Sequence, residues 1–209
     1  MRRTKEEAEL TKTLIISNAV NLFLKKGFSA TTLEQIAIAT GVTRGAIYWH
    51  FNDKLDIINH LTEKEIGGLY HLMDQAFSVE IPILDKIWHI LKTVVHNYYR
   101  NQSFCDFIEL TWFKMEYTQL STLRKSKAEP TQYFINKFEK LVLQAQQEKQ
   151  IVQDINAFDV AITVTHMING MYRMRYLLPV EMSTEMKAMR PFTNYLKLLT
   201  GLPKNGESN

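Results

Sequence analysis

The chain has 209 residues, 45% of them apolar, a formal net charge of +3 at pH 7 and a single cysteine, Cys105. One cysteine excludes an intrachain disulfide, and no apolar run reaches the roughly eighteen residues that a membrane span needs. The basic N-terminus is not followed by the apolar run of a signal peptide, so we expect a cytoplasmic protein with no membrane segment.

Two features of the composition indicate the fold class and the domains. Glycine and proline are scarce, with 8 and 5 residues, and long stretches carry apolar residues at helical spacing. This pattern predicts an all-α chain of about nine helices. Residues 1–54 contain eight lysines and arginines and five acidic residues, so the whole formal charge of +3 lies in this segment. A basic head of residues 1–54 and a neutral body of residues 55–209 fit a DNA-binding domain joined to a second domain.

The first predicted helix runs from about residue 5 to residue 26. Its apolar residues recur at intervals of three and four, which predicts one buried stripe; they are Leu14, Ile15, Ala19, Leu22 and Phe23. Gly27 is placed to end this helix, and Phe28 is expected to fill the core of a small three-helix head.

Residues 31–54 read TTLEQIAIATGVTRGAIYWHFNDK and contain two short helical patterns, about 32–39 and 44–50. Gly41 lies between them, where a sharp turn needs a positive φ. Thr43 can cap the second pattern. Two helices joined by a tight glycine turn predict a helix-turn-helix, in which the second helix enters the major groove of DNA.

The remaining surface of the second helix combines two large aromatic residues with hydrogen-bond donors. Arginine can bond guanine edges and small residues allow close approach, while tyrosine, histidine and lysine suit phosphate oxygens. The residues expected to read bases are Thr43, Arg44, Gly45 and Trp49. The residues expected to hold phosphates are Tyr48, His50, Lys54 and Thr32. Periodicity alone leaves open a structural helical hairpin whose aromatic residues pack against a neighbouring helix.

The segment GVTRGAIYWHFNDK and the opening MRRTKEEAELTK resemble the TetR family of transcriptional repressors, in particular the AcrR-like branch that controls multidrug efflux. The close match covers about residues 1–60. The resemblance implies a homodimer on a palindromic double-stranded DNA operator, paired through its last two long helices. It also implies a body cavity for a small lipophilic, often cationic, effector. The alternative is a regulator of metabolic genes that responds to an endogenous metabolite.

The body is predicted to contain six further helices. Their expected limits are about 53–77, 82–100, 104–117, 120–149, 156–178 and 184–200. Gly67 and Gly68 lie inside the first of these helices, where glycine costs about 1 kcal/mol per residue relative to alanine. We expect close packing of a crossing helix to explain them, in preference to a hinge.

Candidate ligand-binding residues follow from the order of the helices in the resembled family. The inward-facing residues would be His89, Ile90, Thr93, Ile108, Thr111, Trp112, Phe134, Phe138, Thr165, Ile168, Asn169 and Tyr172. Glu65, Glu109 and Glu116 are candidates to balance a cationic ligand. A mixed aromatic and polar lining suits a small-molecule pocket, and ordinary packing in the core is the alternative for each residue.

The sequence carries no sign of an enzyme. It contains no GxGxxG, GxxxxGK[ST], HExxH or GxSxG motif, and its six histidines form no HxxxH pair. We therefore expect no catalytic residues, no metal and no cofactor. A purely structural helical module, as a third class, would not account for the polar and aromatic residues of segment 43–54 together.

Overall fold

The computed structural model describes residues 4–115 and 117–201. It describes their side chains except those of residues 117–127. Within these residues the structure is all-α, as predicted, and contains no strand. The helices are α1 Lys5–Lys26, α2 Leu33–Thr40, α3 Arg44–His50, α4 Lys54–Ser78, α5 Ile83–Arg100, α6 Gln102–Glu109, α7 Tyr117–Gln147, α8 Ala157–Leu177 and α9 Glu185–Leu199. None of the described helices is long and apolar enough to cross a membrane.

The chain forms two compact units. The first comprises the described parts of Met1–Gly68 and Ser103–Lys127, and the second those of Leu69–Gln102 and Ala128–Asn209. The predicted boundary between a DNA-binding domain of residues 1–54 and a second domain of residues 55–209 is not the same as this division and stays a prediction.

The first unit has a core built on one face of α1. Ile15, Ala19 and Phe23 recur at intervals of four and are fully buried, and Phe28 is buried as predicted. The prediction for Leu14 is wrong, because this side chain is 56% exposed. The buried face is centred on Ile15, and Leu14 lies about 100° away from it around the helix. Other fully buried residues of the first unit include Ile36, Ile47, Phe51, Ile57 and Ile58.

The predicted helix 104–117 is wrong in its C-terminal half. The α-helical hydrogen bonds of α6 end at Glu109, and Leu110–Lys114 form a π-helical turn. A π turn inserts an extra residue and shifts the side chains that follow. Leu110 and Thr111 are buried in succession, whereas Trp112 is exposed. α7 begins at Tyr117, earlier than the predicted residue 120.

The second unit is held by contacts of α9 with α5 and α8. The fully buried Tyr98 of α5 donates a hydrogen bond to the carbonyl oxygen of Tyr172 in α8 at 3.0 Å. Burial raises the pKa of Tyr172 well above its usual range, so this phenol stays neutral. Glu185, in the first turn of α9, accepts hydrogen bonds from His96 and Arg100 of α5 at 2.9 and 3.1 Å. These contacts join elements that lie far apart in the sequence.

Gly67 and Gly68 lie inside α4 on its exposed side. A Cβ atom added to either residue would meet nothing within 4 Å. Within the described residues, close packing of a crossing helix is therefore the wrong explanation for them, since neither position has a neighbour there that a side chain would displace.

We expect Gly67→Ala and Gly68→Ala each to raise the free energy of unfolding by about 0.5–1 kcal/mol, because alanine is the better helix former. Urea unfolding followed by circular dichroism measures the change. Gly41→Ala is the matched control. It should lower stability, because the φ of Gly41 is +72° and alanine is strained there. A loss of stability at residue 67 or 68 would contradict the open surroundings described above.

Candidate nucleic-acid interface

The N-terminus of α2 is closed by a capping box. The backbone nitrogen of Gln35 donates to the hydroxyl of Thr32, and the backbone nitrogen of Thr32 donates to the side-chain oxygen of Gln35, both at 3.2 Å. These two bonds satisfy backbone donors that the first helical turn leaves unpaired. They explain why α2 begins at Leu33.

The turn between α2 and α3 has the geometry that the sequence predicts. Gly41 adopts the left-handed conformation, with φ 72° and ψ 26°, and its N–H bonds the carbonyl oxygen of Ile38 at 3.2 Å. Two residues later, the hydroxyl of Thr43 accepts the backbone N–H of Ala46 at 3.1 Å and caps α3. The predicted helix-turn-helix is thereby confirmed.

One side of α3 is buried and the other is open. Ile47 is fully buried, and Phe51, which follows α3, is 1% exposed. On the opposite side Tyr48 is 48% and Trp49 is 72% exposed. The alternative in which these two aromatic rings pack against a neighbouring helix of the chain is wrong. The exposed face is available to a partner, and its pairing of aromatic rings with donors suits DNA.

Arg44 and Tyr48 form a pair on this open face. A guanidinium nitrogen of Arg44 donates to the hydroxyl of Tyr48 at 3.2 Å, and the guanidinium carbon lies 5.5 Å from the centre of the ring. The hydrogen bond to Tyr48 raises the pKa of Arg44, which stays charged. Because the contact limits the rotamers of a long side chain, it lowers the entropy that Arg44 loses on binding.

Lys54 has a structural contact that the sequence reasoning missed. Its ammonium group donates to the carbonyl oxygens of Phe28 and Ser29 at 2.7 and 3.3 Å and lies 4.7 Å from the centre of the Phe28 ring. Burial lowers the pKa of Lys54. Lys54 is a cation in the first turn of α4, where the helix dipole disfavours positive charge. The two carbonyl oxygens offset this unfavourable interaction. No pattern in the sequence indicated this contact, since its partners lie more than twenty positions away.

Four of the predicted DNA-binding residues line one shallow groove of about 420 Å³. They are Thr32, Arg44, Tyr48 and Lys54. Glu34 and Ser29 also line this groove, and the sequence reasoning did not select either of them.

The other four predicted residues lie on or beside α3, outside the lining of the groove. Thr43 and Gly45 are exposed, and His50 is half-buried against Trp49, with ring centres 4.4 Å apart. A Cβ atom on Gly45 would meet only the Thr43 hydroxyl, at an ordinary 3.9 Å. The fold itself therefore does not require glycine at position 45.

The predicted ligand-binding residues are mostly buried. The buried ones are Glu65, Ile90, Ile108, Thr111, Phe134, Phe138, Thr165, Ile168 and Tyr172. The hydroxyls of Thr111 and Thr165 donate to carbonyl oxygens of their own helices at 2.8 Å, so both are satisfied within the fold. The role of this set in ligand binding stays a prediction.

The remaining ligand candidates are less buried. Trp112 is exposed and Asn169 is half-buried, while His89 and Thr93 line a groove between α5 and α9. Glu109 is half-buried, and Glu116 lies outside the described residues. Among the described residues, no group of three or more histidine, cysteine and acidic side chains is placed to hold a metal ion.

The chain is similar to known regulators over most of its length. Residues 15–61 match the family model of bacterial regulatory proteins, tetR family. The HTH-type transcriptional regulator AcrR of Shigella flexneri is 30% identical over 176 residues, which cover 81% of this chain and 80% of that protein. The regulator SrpR of Pseudomonas putida is 53% identical over 87 residues, covering 42% of this chain and 38% of SrpR.

A solved structure has the same fold. NalD, the secondary repressor of the MexAB-OprM multidrug efflux pump in Pseudomonas aeruginosa, superposes with a TM-score of 0.77. The match covers 94% of this chain and 98% of NalD at 24% sequence identity, so it supports the fold alone. Together with the coverage of AcrR and the geometry of α2 and α3, these findings establish that the chain belongs to the tetR family of bacterial regulatory proteins.

Proposed function

We propose that this regulator is a homodimeric repressor of a multidrug efflux operon, that it binds a palindromic operator, and that lipophilic cations release it. The observation that carries the DNA-binding part is the open face of α3, where exposed aromatic and cationic side chains stand on a rigid, doubly capped helix-turn-helix. Two such heads would read half-sites about 34 Å apart in successive major grooves.

In this proposal Arg44 reads a base edge, with Thr43, Gly45 and Trp49 beside it. The pair of Arg44 and Tyr48 supports this role, since an arginine held in place loses less entropy when it bonds guanine. Thr32, Tyr48, His50 and Lys54 hold phosphates. Three of these four line the groove that also contains Arg44.

The proposed dimer uses α8 and α9. Apolar side chains remain exposed on these helices and on the turn between them, as a surface that a second copy would cover. They are Phe158, Met174, Leu177, Val180, Met182 and Leu198.

The cationic character of the effector is supported by Glu65. This carboxylate is 5% exposed, and the described residues around it supply the Ser103 hydroxyl at 2.5 Å and the Lys64 ammonium group at 4.0 Å. A buried carboxylate with so few partners gains from a nearby cation. Binding would release the operator only if the ligand has a higher affinity for the DNA-free state.

A gel-shift titration with DNA from upstream of the protein's own gene tests the proposal, with and without a panel of lipophilic cations. We expect tight, salt-dependent binding that at least one compound releases. Binding that only a metabolite releases would replace efflux control with metabolic control. A failure to prefer upstream DNA over a scrambled fragment of equal length would contradict the assignment of α3 as the reading helix.

A further inference from the structure

The described part of the second unit has a groove of about 870 Å³ between α5 and α9. Its apolar surface comes from Trp88 on α5 and from Met186 and Met189 on α9. Trp88 is half-buried, and Met186 is 75% exposed. An indole ring and two flexible thioether side chains form a surface that adapts to apolar molecules of different shape.

The rim of the groove has an excess of positive charge. Lys92 of α5 and Arg190 of α9 are exposed, and neither forms a hydrogen bond or ion pair within the part of the chain that the structure describes. Within the described residues, these two cationic side chains therefore remain available to a ligand. They stand on the two helices that border the apolar surface.

Glu185 is the acidic residue of the groove lining, and its charge is already compensated. It accepts hydrogen bonds from His96 at 2.9 Å and from Arg100 at 3.1 Å, which lower its pKa. Because His96 and Arg100 already bind this carboxylate, Glu185 has little capacity to attract a further cation. The net positive charge of the groove lining thus favours binding of an anion.

We propose that this groove binds an amphipathic organic anion, with its carboxylate or sulfonate between Lys92 and Arg190 and its apolar part along Trp88, Met186 and Met189. Arginine bonds a carboxylate through two parallel N–H groups, and lysine adds a point charge. His89 and Thr93 lie in the same lining and supply further polar groups beside the anion. The site differs from the effector site proposed above in both its residues and the sign of its ligand.

The test is calorimetric titration of the full chain with decanoate and with decyltrimethylammonium, which carry similar apolar chains and opposite charges. We expect decanoate to bind saturably at this groove, whereas the cation, which can also occupy the effector site proposed above, should show no binding that depends on Lys92 or Arg190. Lys92→Gln and Arg190→Gln should each weaken decanoate binding about threefold, the scale of a partly exposed ion pair. The double reversal Lys92→Glu with Arg190→Glu should abolish saturable decanoate binding and should add binding of the cation that the unsubstituted chain lacks.

Lys197→Gln is the matched control, because this lysine is also exposed on α9 but lies outside the groove lining. It should leave decanoate binding unchanged, and circular dichroism should find the same helicity in all variants. Absence of saturable decanoate binding, or decanoate binding that is unchanged in the double reversal, would overturn the proposal. The measurement contains no DNA, so its failure is distinct from a failure of the repressor function.

Discussion

Replacing Arg44 with alanine is expected to lower the preference for the operator over scrambled DNA by about 5- to 150-fold, the range for loss of one bidentate base contact. Arg44 is exposed on the open face of α3, and its bond to Tyr48 is its contact within the fold. The substitution should therefore leave the stability of the head nearly unchanged. Gel shifts on the bound upstream fragment and on its scrambled counterpart measure the preference.

The control for this prediction is Tyr48→Phe. It keeps the ring under the guanidinium but removes the hydroxyl that accepts from Arg44. We expect a smaller loss of affinity that is similar on both DNA fragments, because Arg44 keeps its charge and reach while the proposed phosphate contact of the Tyr48 hydroxyl is lost. If Arg44→Ala weakened both DNA fragments by the same factor, Arg44 would be a phosphate contact and not a base-reading residue.

Replacing Lys54 with methionine is expected to weaken binding to all DNA sequences alike. Loss of one phosphate contact should reduce the slope of log K against log salt by about 1. The same substitution removes two hydrogen bonds to carbonyl oxygens in the loop after α1. It should lower the free energy of unfolding by about 1–2 kcal/mol, less than for a fully buried charged pair because Lys54 is half-buried.

Lys64→Met is the matched control for Lys54, since it makes the same change in charge on the same helix. Lys64 is exposed, and its Nζ atom lies 4.0 Å from Oε1 of Glu65. The substitution should leave the salt slope unchanged and lower stability only through loss of the ion pair with the buried Glu65 carboxylate. If Lys54→Met lowered stability but left the salt slope as it was, Lys54 would support the head and not contact DNA.

Some features of this protein were predictable because they depend on residues close together in the chain. The left-handed Gly41 and the cap at Thr43 each involve partners within four positions. Hydrogen bonds of this kind depend on local backbone geometry, so residue type and spacing were enough to place α2, the turn and α3. The resemblance of the same segment to the TetR family added the function that local geometry does not specify.

Other features depended on contacts between distant segments. The π turn after Glu109 is not visible in the apolar spacing, because a helical pattern does not tell which helical hydrogen bonds will form. Periodicity placed Leu14 in a buried stripe, yet the face of α1 that is buried was chosen by the helices around it. Gly67 and Gly68 also had to be seen in the fold, since only their surroundings exclude close packing.

The sequence by itself therefore determined the all-α class and the helix-turn-helix of α2 and α3, because short-range hydrogen bonds and a local motif specify them. Tertiary structure alone decided that Lys54 bonds the loop after α1, and that Lys92 and Arg190 border one groove although they lie almost a hundred positions apart. Such pairings arise when helices pack to bury apolar surface, and that packing brings together side chains whose sequence positions carry no signal of their proximity.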